Sequence, residues 1–154
     1  MAELEGEWQP AGMDEQPRPV ILDPDCRAPL TKLLGCVSKQ EAKLPWIFCR
    51  EETHKLDDCH IPLKTHDGKK FLWGDVLSTL STKGVDSVMI EGGANVINDI
   101  LTQQIADVII ITIAPVFLGR DGVGILPSLQ EEWLQDVQSI PVGRDIVIAG
   151  RVKR

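Results

Sequence analysis

The chain has 154 residues, enough for one domain with a substantial apolar core. Hydrophobic residues make up 43% and charged residues 25%, a globular composition rather than that of a disordered or wholly membrane-embedded chain. The formal net charge of −7 argues against a nucleic-acid partner, because an acidic surface repels a phosphate backbone.

That charge leaves room for a small phosphorylated ligand, since a local nest of N–H groups can outweigh a distant net charge. No apolar run is long enough to span a bilayer, and Met1-Ala2-Glu3-Leu4-Glu5 lacks the form of a secretory signal. The four cysteines, Cys26, Cys36, Cys49 and Cys59, show no CxxC spacing. A cytoplasmic protein with reduced thiols and no membrane partner is therefore expected.

Residues 1–18 are polar, acidic and rich in Pro and Gly, and read as a tail or loop. Pro19-Val20-Ile21-Leu22 reads as a strand closed by the turn formers Asp23-Pro24-Asp25. Residues 30–43 carry no decisive period. Trp46-Ile47-Phe48-Cys49 reads as a buried strand, residues 50–58 as charged surface, and Cys59-His60-Ile61-Pro62-Leu63 as an edge strand, because Pro62 lacks a ladder donor. Residues 64–70 read as a polar loop. Leu72, Val76, Leu77 and Leu80 then share a helical face, with Gly84 placed to end that helix.

A buried strand is predicted around residues 87–90, followed by a Gly92-Gly93 turn and a helix with Val96, Ile97, Ile100 and Leu101 on one stripe. Val108-Ile109-Ile110-Ile111-Thr112-Ile113 is almost continuously β-branched, which predicts a strand buried on both faces. Strand, helix and strand in that order predict a right-handed parallel crossover. Asp145-Ile146-Val147-Ile148-Ala149-Gly150-Arg151-Val152 reads as a last strand, so the class is α/β with a mixed sheet.

The Gly92-Gly93 turn is the main candidate site. A strand, a glycine turn and a helix start bring unpaired N–H groups and a partial positive charge to one point, which suits a phosphate. The same glycines also suit a tight connection with no ligand, and on pattern alone the two readings are equal. Glu91 stands at the carboxyl end of the predicted strand, where α/β folds bind ligands; its plain alternative is a surface charge. Gly119-Arg120-Asp121-Gly122-Val123-Gly124 is either a second wall of a cleft or an exposed loop. The spacing of His54, Cys49, Cys59 and His60 fits no standard finger or ribbon, so no metal is expected. His66-Asp67 reads as solvated, and Lys69-Lys70 as too short for an anion patch.

Three stretches together go further. Gln16-Pro17-Arg18-Pro19-Val20-Ile21-Leu22-Asp23, then Ser87-Val88-Met89-Ile90-Glu91-Gly92-Gly93-Ala94-Asn95-Val96-Ile97, then Ile109 to Gly119 with Thr112-Ile113-Ala114-Pro115-Val116-Phe117-Leu118-Gly119, resemble the riboflavin-biosynthesis reductases. The resemblance runs from Gln16 to the end, loosely over residues 30–70. It implies a dihydrofolate-reductase-like mixed sheet with flanking helices and a homodimer. It also implies an NADPH-dependent reduction of 2,5-diamino-6-ribosylamino-4(3H)-pyrimidinone 5′-phosphate to the ribitylamino product. Gly92, Gly93, Ala94, Asn95, Val96 and Ile97 would meet the cofactor's phosphates, and Glu91 would lie towards the substrate.

Members of that family carry roughly eighty to a hundred further residues before the Arg-Pro-Val-Ile strand, about half a domain. The resemblance thus implies that residues 19–154 are the carboxy-terminal part of a reductase domain, with the first strand and first helix missing. No catalytic residue is assigned. Two expectations stay open: a reductase by ancestry with little turnover from this chain alone, and a non-catalytic nucleotide-binding remnant or interaction partner of a full-length reductase.

Overall fold

The computed structural model describes residues 16–52, 57–124 and 133–153. The chain divides into two compact units, Met1–Asp86 and Ser87–Arg154.

In the first unit, β1 (Val20–Leu22), β2 (Trp46–Arg50) and β3 (His60–Leu63) form a parallel sheet in that order. Helix α1 (Thr31–Ser38) connects β1 to β2 and buries no residue fully. The central strand is the apolar one: Ile47, Phe48 and Cys49 are buried, as a strand flanked on both sides requires. As expected, β3 is an edge strand, and it carries Pro62.

Residues 64–70 are more ordered than expected. Here β4 (Thr65–His66) and β5 (Lys70–Phe71) pair antiparallel. Asp67 and Gly68 between them both take positive φ, 51° and 65°. They are the central residues of a turn closed by Lys69 N–H donating to His66 O at 3.1 Å, within the three-residue connection between the paired His66 and Lys70.

Helix α2 (Trp73–Thr82) packs on this framework through Trp73, Val76 and Leu80. Leu72, expected on the buried stripe, is instead the exposed N-cap, and Trp73 takes the inward place. The helix ends as the sequence suggests. Gly84 has φ +81°, its N–H donates to Ser81 O at 2.9 Å, and Val85 N–H donates to Leu80 O at 3.1 Å, a Schellman ending. The core gathers Phe48, Ile61, Phe71, Val76 and Leu80, with Val20, Trp46, Leu63 and Val85 packed at its margin. The Phe48 and Phe71 rings sit 6.3 Å apart at 59°. Each such side chain contributes about 1.5–3 kcal/mol by leaving water.

In the second unit, helix α3 (Ala94–Thr102) precedes β6 (Val108–Ile113), and β7 (Leu134–Val142) and β8 (Asp145–Val152) follow. Strand order is β6-β8-β7, all antiparallel. The β7–β8 hairpin turns at Gly143-Arg144, where Gly143 has φ +60°. Helix α3 buries Ile100 and half-buries Val96, Ile97 and Leu101, which is the stripe read from the sequence.

Two expectations fail in this unit. Residues 87–90 form no strand: they have no ladder partner among the described residues, and Ser87, Val88 and Met89 are exposed. β6 forms, but at a sheet edge, antiparallel to β8, and exposed along both faces. Among the described residues the parallel crossover is therefore not formed. A β-branched run can request pairing, but a ladder exists only where a neighbouring backbone supplies the other half of each hydrogen bond.

Candidate functional site

Residues 91–97 lie at the start of α3. Gly93 is its N-cap, in extended conformation (φ −73°, ψ 174°), and no side chain caps the helix. The Gly93 carbonyl accepts the N–H groups of Val96 at 3.0 Å and Ile97 at 3.2 Å. The earlier N–H groups of the first turn have no intrahelical acceptor, as at any helix start. They carry the positive end of the helix dipole. Glu91, Gly92, Gly93 and Asn95 are exposed, and Ala94, Val96 and Ile97 are half-buried.

The two glycines play different parts. A Cβ on Gly92 would lie 3.0 Å from Val96 Cβ and 3.1 Å from its Cγ1, so packing within the chain already requires glycine there. A Cβ on Gly93 would meet nothing within 4 Å, and its φ is open to any residue. Neither glycine has positive φ, so the tight-connection reading on backbone angles does not apply. Gly93 leaves open space beside a bare helix start, which fits the close approach of a phosphate. On the same helix, Asn98 Oδ1 is buried without a partner among the described residues.

The second glycine cluster forms a short 3-10 turn at Gly119–Asp121, with Phe117, Leu118 and Val123 strongly exposed around it. It takes the form of an exposed loop.

In the first unit, an open cavity of about 430 Å³ is lined by Pro24, Asp25, Arg50, Glu52, Thr65 and Gly68. It gathers residues that follow β1 and end β2 at the carboxyl ends of parallel strands, where α/β sheets hold ligands. Arg50 is tethered from both sides: its guanidinium pairs with Asp25 at 2.5 Å, and its backbone N–H donates to Pro24 O at 3.2 Å. Arg27 also pairs with Asp25, at 3.0 Å. The Arg50 Nε is buried and makes no hydrogen bond among the described residues. Sequence reading placed Arg50 on a charged surface. The signal it lacked was the approach of Asp25, which is brought in by parallel pairing of β1 with β2.

Of the residues weighed for a metal, His54 lies outside the described residues and Cys49 is buried in the sheet. Cys59 Sγ stands 3.6 Å from His60 Nδ1, and an Asp57 carboxylate oxygen lies within 4.8 Å of both. The Asp57 N–H donates to His60 Nδ1 at 3.2 Å, which occupies that nitrogen's lone pair. His66 pairs with Asp67 at 3.2 Å, with both side chains exposed, as the polar-loop reading expected. All four cysteines are free.

These features define a mixed α/β protein with a bare helix start beside a glycine. The model of the RibD C-terminal domain family matches residues 2–148, and the chain belongs to that family. It is 35% identical over 142 residues to the 2,5-diamino-6-ribosylamino-4(3H)-pyrimidinone 5′-phosphate reductase of Debaryomyces hansenii, covering 79% of this chain and 58% of that protein. The same-named reductase of Kluyveromyces marxianus is also 35% identical, with 88% and 57% covered. Among solved structures, the riboflavin biosynthesis reductase Rib7 of Saccharomyces cerevisiae superposes with a TM-score of 0.77 at 28% identity, covering 90% of this chain and 71% of that one. The chain thus spans somewhat over half the length of the first curated relatives.

Proposed function

We propose that this chain is a reductase of riboflavin biosynthesis that uses NADPH to convert 2,5-diamino-6-ribosylamino-4(3H)-pyrimidinone 5′-phosphate to its ribitylamino product. The names of the relatives support the reaction, and the uncapped start of α3 beside Gly93 supports a phosphate-bearing cofactor. When bound, NADPH would supply the hydride that reduces C1′ of the open-chain imine, with a proton taken up at the nitrogen that becomes the amine. In this reading Gly92, Gly93, Ala94, Asn95, Val96 and Ile97 surround the cofactor's phosphates, and the donors are the N–H groups ahead of Val96, since those of Val96 and Ile97 are held by Gly93 O. Glu91, exposed just before the turn, faces the substrate. The remaining task of the protein is to position nicotinamide and imine for transfer. The enzyme works in the cytoplasm as a homodimer.

The observation that carries the reading is Gly93: nothing in its own surroundings requires glycine, and the space beside it is open. Titration with NADPH, followed by quenching of tryptophan fluorescence, tests it. Saturable binding that is lost in Gly93→Val supports the cradle. Equal binding by wild type and Gly93→Val removes it. Turnover with the pyrimidine phosphate is a separate measurement, and little turnover by the isolated chain is expected, because it spans only part of its relatives.

A further inference from the structure

Residues 57–60 form a turn at the entrance to β3. His60 N–H donates to Asp57 O at 2.9 Å and closes the turn across Asp58 and Cys59. A second bond runs the other way, from Asp57 N–H to His60 Nδ1 at 3.2 Å. Ile47 N–H on β2 donates to Cys59 O at 2.8 Å and ties the turn to the sheet. This backbone gathers three different donor side chains. The Asp57 carboxylate, the Cys59 thiol and the His60 imidazole each bring one atom, all within 4.8 Å of one another. Among the described residues no other His, Cys, Asp and Glu side chains gather in this way.

We propose that Asp57, Cys59 and His60 bind a divalent ion of the zinc type, a property separate from the reduction. The distances carry the assignment. A tetrahedral zinc with a Zn–S bond of about 2.3 Å and a Zn–N bond of about 2.05 Å holds the two ligand atoms about 3.6 Å apart. Cys59 Sγ and His60 Nδ1 already stand 3.6 Å apart. Asp57 is exposed, so its carboxylate is free to rotate onto a third corner, and water takes the fourth.

The hydrogen bond from Asp57 N–H prepares the imidazole. It assigns the lone pair to Nδ1 and the proton to Nε2, the tautomer in which Nδ1 can coordinate. The ion takes that lone pair from the amide, so a long neutral hydrogen bond gives way to a coordinate bond. One thiolate, one carboxylate and a neutral imidazole cancel the charge of a divalent ion, which suits a buried Cys59 beside a half-buried His60. Mixed sulfur, nitrogen and oxygen donors favour zinc, while a single carboxylate is too little for calcium or magnesium. The spacing of Cys49, His54, Cys59 and His60 matches no finger or ribbon, but that spacing does not count Asp57. The bound ion clamps the turn that feeds the edge strand β3 and so raises the unfolding midpoint.

The test titrates cobalt(II) into the whole, reduced chain after chelator treatment. The expected result is one cobalt per chain, with a thiolate-to-cobalt charge-transfer band and the visible bands of tetrahedral cobalt, both bleached by added zinc. A 15N spectrum of the zinc form should move His60 Nδ1 and leave Nε2 protonated. Cys59→Ser should remove the charge-transfer band, and Asp57→Asn, an exposed change that leaves the fold intact, should weaken binding at least about tenfold. Cys26→Ser and His66→Ala, both exposed and outside the set, should bind as wild type does. Zinc should raise the thermal midpoint of wild type and not that of Cys59→Ser.

No charge-transfer band in the folded wild type overturns the proposal. So does an equal band in Cys59→Ser, equal affinity in Asp57→Asn, or loss of the band in Cys26→Ser, which would mark adventitious binding at a surface thiol. NADPH does not enter these readouts, so failure here and failure of the cofactor cradle are separable.

Discussion

At the scale of single residues, Gly92 and Gly93 separate packing from ligand binding. Gly92→Ala brings a methyl group to 3.0 Å from Val96 Cβ, and both atoms belong to backbone-anchored positions that yield little. Overpacking of this kind costs about 1–3 kcal/mol. The expected outcome is a lower denaturant midpoint with an unchanged slope. Gly93→Ala has room and an accessible φ, so its stability should stay within about 0.5 kcal/mol of wild type or rise slightly through a stiffer unfolded chain. Its NADPH affinity should fall about tenfold, or about 1.4 kcal/mol, if the added methyl displaces a phosphate from the helix start. Equilibrium denaturation and a binding titration on the same two proteins check both halves. A destabilised Gly93→Ala with unaltered binding would reverse the assignment. Phe48→Ala is the reference for the core: it removes a fully buried ring that packs on Phe71 and should cost about 3–5 kcal/mol in the same denaturation experiment.

At the scale of elements, the ending of α2 is the clearest case of sequence dictating structure. Only glycine takes φ +81° without a Cβ clash, so Gly84→Ala should destabilise by about 1–2 kcal/mol, read as a shift in the thermal midpoint. Such local signals made β1, β2, β3, α2, α3, β6 and β8 legible, because each rests on a turn former or a period within its own stretch. What stayed hidden depends on partners. The β4–β5 hairpin announces itself only by Asp67-Gly68, a two-residue signal inside a polar run that reads equally as loop. The bulge in β7 breaks the alternation that would have revealed that strand. Arg50 became part of a cavity lining only because β1 and β2 pair in register and carry Asp25 to it. Residues 87–90 have the composition of a buried strand and remain unpaired among the described residues, because composition supplies no neighbour. The helix start at Gly93 was legible as a candidate from the order strand, glycine, helix. The different roles of the two glycines were not, since they turn on where Val96 Cβ points.

At the scale of the whole molecule, the two units differ in how their apolar side chains are used. In the first, Phe48, Val76 and Leu80 are almost entirely out of water in one core, and Ile47 is as deeply buried. In the second, Ile100 is the only buried apolar residue among those described, while β6, β7 and β8 all present large side chains to solvent. Local stability follows buried apolar contact, so backbone opening should be much rarer in the first unit than in the second. Native-state hydrogen exchange gives the direct measurement. Amides of Ile47, Phe48 and Cys49 should exchange most slowly, and those of β6 faster by at least about tenfold, or about 1.4 kcal/mol in opening free energy. Saturating NADPH should then slow the amides of Ala94 and Asn95 most, because a bound phosphate engages the N–H groups at the start of α3 that lack an intrahelical acceptor and stabilises the form that binds it. It should leave the Thr65–His66 hairpin strand unchanged. If β6 proved as protected as β2, its exposed isoleucines would have to be covered in solution, and the contrast between the two units would fail.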